Sequence, residues 1–269
     1  MTQILTSTRS ARVRRIASLT RRRERRLRGL HLAEGPNAAA AALAAGLVDE
    51  LLVTDETWLD GLSGAALDDV RVTAVSEAVL QHVCDAVTPQ GVVAVVRTAT
   101  CAVEDLPPGG VVLVLDRLGD PGNVGTVVRT AHALGATGVI ALEGSADPHG
   151  PKAVRSAAGA TYRIALVVDV EAGRAVTALR DQSRRIVTLS AAGTAAFDDV
   201  AAHDPGIALV VGSEAHGVGP EFSAATDQSV AIDMVGDAES LNAAIACGIA
   251  LHALAPRFAR AGGGRRRDR

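Results

Sequence analysis

Three glycine-bearing segments hold most of the residues in this sequence that could do chemistry. In 116–125, DRLGDPGNVG, Gly119, Gly122 and Gly125 recur at every third position. Such turns let a backbone approach a ligand closely, or serve only as tight turns. The spacing is not the GxGxxG of a dinucleotide site, and no phosphate-loop pattern occurs. Asn123 stands where a side-chain oxygen can accept a backbone N–H and cap the following helix. Arg129 lies almost opposite the stripe formed by Val124, Val127, Val128, Ala131 and Leu134. From there it could reach an anion held near the helix start, or it could be a solvated surface arginine. In 212–221, GSEAHGVGPE, Glu214 can orient a ligand or face water, with His216 beside it. In 235–242, VGDAESLN, Ser240 can cap the last helix and Asn242 sits in its first turn. No His-x-His, HExxH or Ser/His/Asp arrangement supports metal or acyl chemistry, so no metal is expected. His132 and His252 fall in helical patterns, at the edge of a core.

These segments need elements to hold them. Buried strands are expected at 110–118, 138–144, 162–170, Ile186–Ser190, Ile207–Val211 and Val230–Val235. Helices are expected over Val124–Leu134, 171–183 and Ser240–Leu254, with a short one opening at PKAVRSAAGA. Continuous Val/Ile/Leu runs alternating with helices imply an α/β fold with a parallel sheet covered on both faces. In such sheets ligands bind outside the carboxyl ends of the strands, where the three loops would gather. The last helix is apolar nearly all round and rich in Ala and Gly, so it is buried inside the domain or at a dimer interface. Upstream, a helix over 36–46 and strands at Leu51–Thr54, Val70–Val75 and Val92–Arg97 form a smaller α/β unit, and a Pro/Gly/acid stretch near 99–110 reads as a linker. The organisation expected is therefore 1–100, 110–258 and a Gly/Arg tail over 259–269.

At 269 residues the chain can bury a sizeable core, and 48% hydrophobic with 21% charged residues excludes a disordered or fibrous protein. No apolar run reaches the ~18 residues of a membrane span, and the three distant cysteines exclude a disulfide framework. A cytoplasmic protein without membrane partners is expected. The net charge of -3 is unevenly spread: residues 1–30 hold ten Arg and one Glu, and 257–269 hold six Arg and one Asp. Basic ends on an acidic body point to a polyanion, or to solubilising tails. The first thirty residues have a transit-peptide composition, but Val13, Ile16, Leu19, Leu27 and Leu30 recur at helical spacing, so an uncleaved basic helix over 9–28 is expected.

Taken together and in order, DRLGDPGNVGTVVRTAHALGA (116–136), LVVGSEAHGVGPE (209–221) and IDMVGDAESLNAAIACGIALHAL (232–254) resemble the motifs of the SpoU (TrmH) family of S-adenosylmethionine-dependent RNA ribose methyltransferases. The connecting PKAVRSAAGA matches the family's style, and residues 10–98 resemble more loosely its ribosomal-protein-like RNA-docking domain. The resemblance implies a C-terminal SPOUT domain whose chain threads a deep trefoil knot, an obligate homodimer, and S-adenosylmethionine as methyl donor without metal. It implies Asn123, Arg129, Glu214, Ser240 and Asn242 as catalytic-centre residues, and Leu189, Gly212, Ile232, Met234 and Leu241 as the donor pocket. Asp233 departs from the family, which usually has proline there. The implied activity is methylation of a ribose 2'-OH in structured RNA, 23S ribosomal RNA first, with transfer RNA or a non-catalytic ribosomal-RNA-binding assembly or resistance role as alternatives. The docking residues expected are Arg21, Arg22, Arg23, Arg25 and Arg26. Aromatic residues make up only 2%, so recognition leans on RNA shape and backbone.

Overall fold

Runs of β-branched residues bounded by glycine turns form two sheets in the computed structural model, which describes residues 4–60, 67, 69–200, 206–213, 215–234, 236 and 240–261. The tail over 262–269 lies outside the described residues. The chain divides into two units, Met1–Ala99 with Asp147–Arg163, and Thr100–Ala146 with Ile164–Arg269.

The first unit opens with two short helices, α1 (Ala11–Ala17) and α2 (Arg22–Arg28), separated by a 3-10 turn at Ser18–Thr20. The single helix expected over 9–28 is thus broken. Ser10 ends the chain's approach by accepting from the Val13 N–H, and Gly29, at φ +61°, stops α2. Val13, Ile16 and Leu19 pack on Leu32, Leu52, Val93 and Val95. Leu27, expected on that apolar side, is 73% exposed. There follow β1 (Leu30–Glu34), α3 (Pro36–Ala44), β2 (Val48–Val53), α4 (Thr57–Asp60), β3 (Arg71–Ala74), α5 (Glu77–Val83) and β4 (Val92–Arg97). The sheet order is β1-β4-β2-β3, with β4 antiparallel to both neighbours and β2 parallel to β3. Strand β1 has no counterpart among the sequence expectations, because His31 and Glu34 interrupt its apolar run.

The second unit is a six-stranded, wholly parallel sheet of order β10-β8-β9-β5-β6-β7. Its elements are β5 (Val111–Asp116), α6 (Pro121–Ala133), β6 (Gly138–Leu142), β7 (Ala165–Val170), α8 (Ala172–Asp181), β8 (Arg185–Leu189), β9 (Ile207–Gly212), α9 (Pro220–Ala225), β10 (Gln228–Val230) and α10 (Ala243–Ala261). The intervening α7 (Pro151–Ala157) belongs to the first unit. Val112, Val114, Ile140, Leu179 and Phe222 share a core on one face of the sheet. The alternate residues Leu113 and Leu115 are equally buried, and α10 packs on α6 and β5. The last strand is Gln228–Val230 rather than Val230–Val235; residues 231–234 have no regular structure. The Pro/Gly stretch before β5 is docked, not loose: the Arg184 guanidinium, 1% exposed, donates to the carbonyls of Pro107 and Gly109 and to Gln182.

The segment Asp147–Arg163, expected in the second domain, packs within the first unit. Its attachment is polar. Arg25 pairs with Asp147 at 2.6 Å, Arg155 with Glu34 at 2.7 Å, and His31 bonds Tyr162 at 3.0 Å. Hydropathy patterns carry no signal for such pairs.

Candidate functional site

Strand order reverses at β5 and β9, which is where a parallel sheet opens a crevice at its carboxyl ends. Asp116 ends β5 opposite Gly212 at the end of β9. Its buried carboxylate accepts from the Gly219 N–H at 2.5 Å and from Arg117 Nε at 3.0 Å, tying the first glycine loop to the second. Gly212 is required by contact: a Cβ there would lie 2.1 Å from the Gly217 carbonyl carbon. The loop is folded back by Gly217 N–H to the Ser213 carbonyl at 2.8 Å and by His216 N–H to Ser213 Oγ at 3.2 Å. A third loop, after β8, is strapped to β10 by Ser190 N–H to the Val230 carbonyl at 3.0 Å and Ala195 N–H to Ser229 at 3.1 Å.

The loops after β8 and β9, with Ile232, Met234, Ser240, Leu241, Ala243 and Ala246, line a cavity of about 580 Å³ in the second unit. That is the size of a small-molecule site. Leu189, Gly212, Ile232, Met234 and Leu241, distant in sequence, all line it, as does Ser240. Sequence reasoning did not assign Ser190–Ala192, Ser213, Val218 or Thr226 to it; the close-approach Gly193 was the available signal. Among the described lining residues only His216 is ionisable. Apart from His216, the described lining is backbone, small hydroxyls and apolar side chains.

At the N-termini of α6 and α10, other residues take the place of the two expected caps. Asp120, not Asn123, caps α6, accepting from the Asn123 N–H at 2.8 Å. Asn242, not Ser240, caps α10, accepting from Ala244 N–H at 3.0 Å and Ile245 N–H at 3.4 Å. Asn123 then accepts from Asn242 Nδ2 at 3.0 Å, joining the first and third segments side chain to side chain. Arg129 is placed apart from the cavity lining, on the exposed side of α6, opposite buried Val124, Val127, Val128 and Ala131. It makes no hydrogen bond or ion pair with the described residues. Glu214 lies outside the described residues. His132 and His252 are exposed rather than at a core edge.

Burial pushes the Cys84 and Cys247 thiols up to about 12 and raises Cys101 as well, so none supplies a thiolate nucleophile at neutral pH. Among the described residues no cluster of His, Cys, Asp or Glu could hold a metal, and no helix is long and apolar enough to cross a membrane.

Of the expected docking arginines, Arg21, Arg23 and Arg26 are exposed and Arg22 is half-buried. Arg25 is corrected. It is 6% exposed, pairs with Asp147, and donates to the Leu19 and Thr20 carbonyls at 3.1 and 2.7 Å. Its donors are spent inside the protein, and no phosphate can reach them.

Comparison with known proteins places this geometry in context. Residues 110–252 match the SpoU rRNA Methylase family and residues 10–94 the MRM3-like substrate binding domain. The chain is 30% identical over 249 residues to the 23S rRNA (guanosine(2553)-2'-O)-methyltransferase RlmP of Bacillus subtilis, covering 92% of this chain and 97% of that protein. It is similar to the AdoMet-bound rRNA methyltransferase of Sinorhizobium meliloti, with TM-score 0.84, 27% identity, and 95% and 98% of the two chains covered. It is also similar to the SpoU methyltransferase AviRb of Streptomyces viridochromogenes in complex with AdoMet, with TM-score 0.81, 30% identity, and 96% and 100% covered.

Proposed function

The chain belongs to the SpoU rRNA methylase family, and on that premise we propose that it transfers a methyl group from S-adenosylmethionine to a ribose 2'-OH of structured RNA, with 23S ribosomal RNA as target and the cytoplasm as its place of work. The observation that carries this reading is the cavity. Five residues expected around the donor, Leu189, Gly212, Ile232, Met234 and Leu241, meet there, though the sequence separates them by up to fifty-two positions.

The cavity's residues fit that donor. The apolar side chains of the described lining suit the faces of an adenine ring, and its small hydroxyls and backbone can meet the polar edges. When bound, S-adenosylmethionine supplies a methyl group on a positively charged sulfur, electrophilic enough to need neither metal nor covalent enzyme intermediate. The protein's task is on the acceptor side. Asn242, between the lining residues Leu241 and Ala243 and oriented by its own helix cap, holds Asn123 through its amide. Arg129 presents a planar fork of N–H donors and no acceptor, so it is built to hold an anion rather than to take a proton. Its role is then to hold the phosphate next to the reacting sugar and to stabilise the alkoxide as it develops. Ser240 borders the cavity, and the family resemblance assigns Glu214 to the catalytic centre.

Two further features belong to this reading. Ile245 and Ile249, one turn apart on α10, are 56% and 41% exposed, a stripe suited to a second copy of the chain. The knotted threading of the C-terminal segment accompanies it. Exposed Arg21, Arg23 and Arg26, with Arg22, serve RNA docking.

The test is methyl transfer. Full-length protein is incubated with methyl-labelled S-adenosylmethionine and ribosomal or transfer RNA lacking the modification, and the label is mapped. A single 2'-O-methylated nucleotide in 23S ribosomal RNA supports the proposal. Label confined to transfer RNA moves the target, and label on a base contradicts the chemistry.

A further inference from the structure

A second cavity, in the first unit, is unlike the first in being charged. It has a volume of about 620 Å³ and lies where α1, α2 and the sheet meet, with Ile16, Leu19, Leu30 and Val95 as its floor. Three of the six charged side chains that line it are already paired. Asp49 holds Arg97 at 2.5 Å, Glu50 holds Arg12 at 2.5 Å and accepts from Thr73 at 2.9 Å, and Glu24 holds Arg28 at 3.1 Å. Three are not. Arg15, Asp69 and Arg71 line the groove, are exposed, and have no hydrogen-bond or ion-pair partner among the described residues. Asp69, in the turn before β3, and Arg71, the first residue of that strand, both line the groove.

Two guanidinium groups and one carboxylate around an apolar floor do not describe a phosphate site, because the carboxylate repels the anion. They call for a planar, neutral ligand with acceptors on one edge and donors on another. Guanine meets that demand: its O6 and N7 accept from an arginine fork, and its N1–H and exocyclic amine donate to a carboxylate. Adenine sets a donor beside N7, and uracil has no exocyclic amine. RNA readers stack unpaired bases on aromatic rings or on arginine planes. This chain has one Trp, one Tyr and three Phe, which leaves stacking to arginine.

We propose that this groove takes an unpaired guanine of the RNA substrate, with Asp69 accepting from its Watson–Crick edge and Arg71 and Arg15 donating to its O6 and N7 or stacking on its ring. The inference rests on the RNA reading above and adds a base to it.

The experiment is fluorescence anisotropy on the full chain with a short oligouridylate carrying one central guanosine, adenosine, inosine or 7-deazaguanosine. The groove predicts that guanosine binds about tenfold tighter than adenosine. It also predicts that inosine, which lacks the amine, and 7-deazaguanosine, which lacks N7, each lose most of that gain. In Asp69→Asn the gap between guanosine and inosine closes; in Arg71→Ala the gap between guanosine and 7-deazaguanosine closes. Both side chains are exposed, and a thermal melt confirms that the variants are folded. Equal affinity for guanosine and adenosine, no binding of any oligonucleotide, or a preference unchanged in both variants overturns the proposal. Methyl transfer to ribosomal RNA by the same preparation separates the two claims. Transfer without base preference sinks only the groove, whereas absence of transfer strikes the RNA methyltransferase reading itself.

Discussion

Arg129 carries a charge that nothing described in its own chain neutralises. Its position opposite the apolar stripe of α6 was legible from spacing; what the guanidinium would touch was not, since that depends on a substrate outside the chain. Replacing it should therefore leave the donor cavity intact. Arg129→Ala is expected to lower kcat for methyl transfer by about 10²–10³, with calorimetric affinity for S-adenosylmethionine within about twofold of wild type. Arg129→Lys, which keeps the charge but not the fork, should recover only part. Gly212 is the opposite case. Any Cβ at that position meets the Gly217 backbone. Gly212→Ala should raise the Kd for the donor more than about tenfold, a loss of about 1.4 kcal/mol, while RNA binding by the intact chain is retained. The glycine itself was visible in the sequence. The folded-back loop that demands it was not, because a contact between positions 212 and 217 depends on how the loop closes. Asn123 and Asn242 show the same boundary: the first reads as a helix cap and the second as a first-turn residue, and only the structure reveals that Asn242 caps while Asn123 receives its amide.

Helices and strands in the first unit are fastened by buried polar pairs, and here the sequence reading erred most. Arg25 was grouped with its exposed neighbours because five arginines crowd 21–26, and nothing local marks the one that turns inward to Asp147, 122 positions away. Arg25→Ala should destabilise the protein by about 3 kcal/mol, the low end for a broken buried pair, because the buried Asp147 keeps only its bonds from His149. It should be detected as a lower denaturation midpoint. Arg21→Ala and Arg23→Ala should leave the midpoint unchanged and flatten the salt dependence of RNA affinity. The same cluster makes stability depend on pH. His31, 1% exposed, bonds Thr98 at 3.1 Å and Tyr162 at 3.0 Å, and its ring lies 4.8 Å from that of His149. Burial, reinforced by His149 and Arg25 against the opposing charge of Asp147, holds the His31 imidazole well below its ordinary value. Below that ordinary value of about 6.5 the unfolded chain binds a proton that the folded chain refuses, so stability falls as pH falls from 7.5 to 5. Burial pushes the Asp147 carboxyl up, but hydrogen bonds from His149 and the charge of Arg25 draw it well below the carboxylate range. Its contribution is lost only at much lower pH, so the pH 5–7.5 window reports His31. Urea denaturation across that window should show a slope in wild type and a flatter one in His31→Phe.

At the scale of the molecule, the parallel sheet could be read from its Val/Ile/Leu runs, each long enough to be buried on both faces. Strand order could not, and neither could the membership of Asp147–Arg163 in the first unit, since both are fixed by contacts distant in sequence. The apolar stripe on α10 gives the whole assembly a test. Wild type is expected to sediment as a dimer, and Ile245→Asp combined with Ile249→Asp as a monomer that has lost methyl transfer. A monomeric, active wild type would remove the dimer from the account. The central claim is that three separated segments build one methyl-donor site in the second unit. A crystal structure of the full chain soaked with S-adenosylmethionine measures this directly. The account predicts the donor in the cavity between Leu189, Gly212, Ile232 and Leu241. Donor bound at any other place, or that cavity vacant at saturating donor concentration, would contradict it.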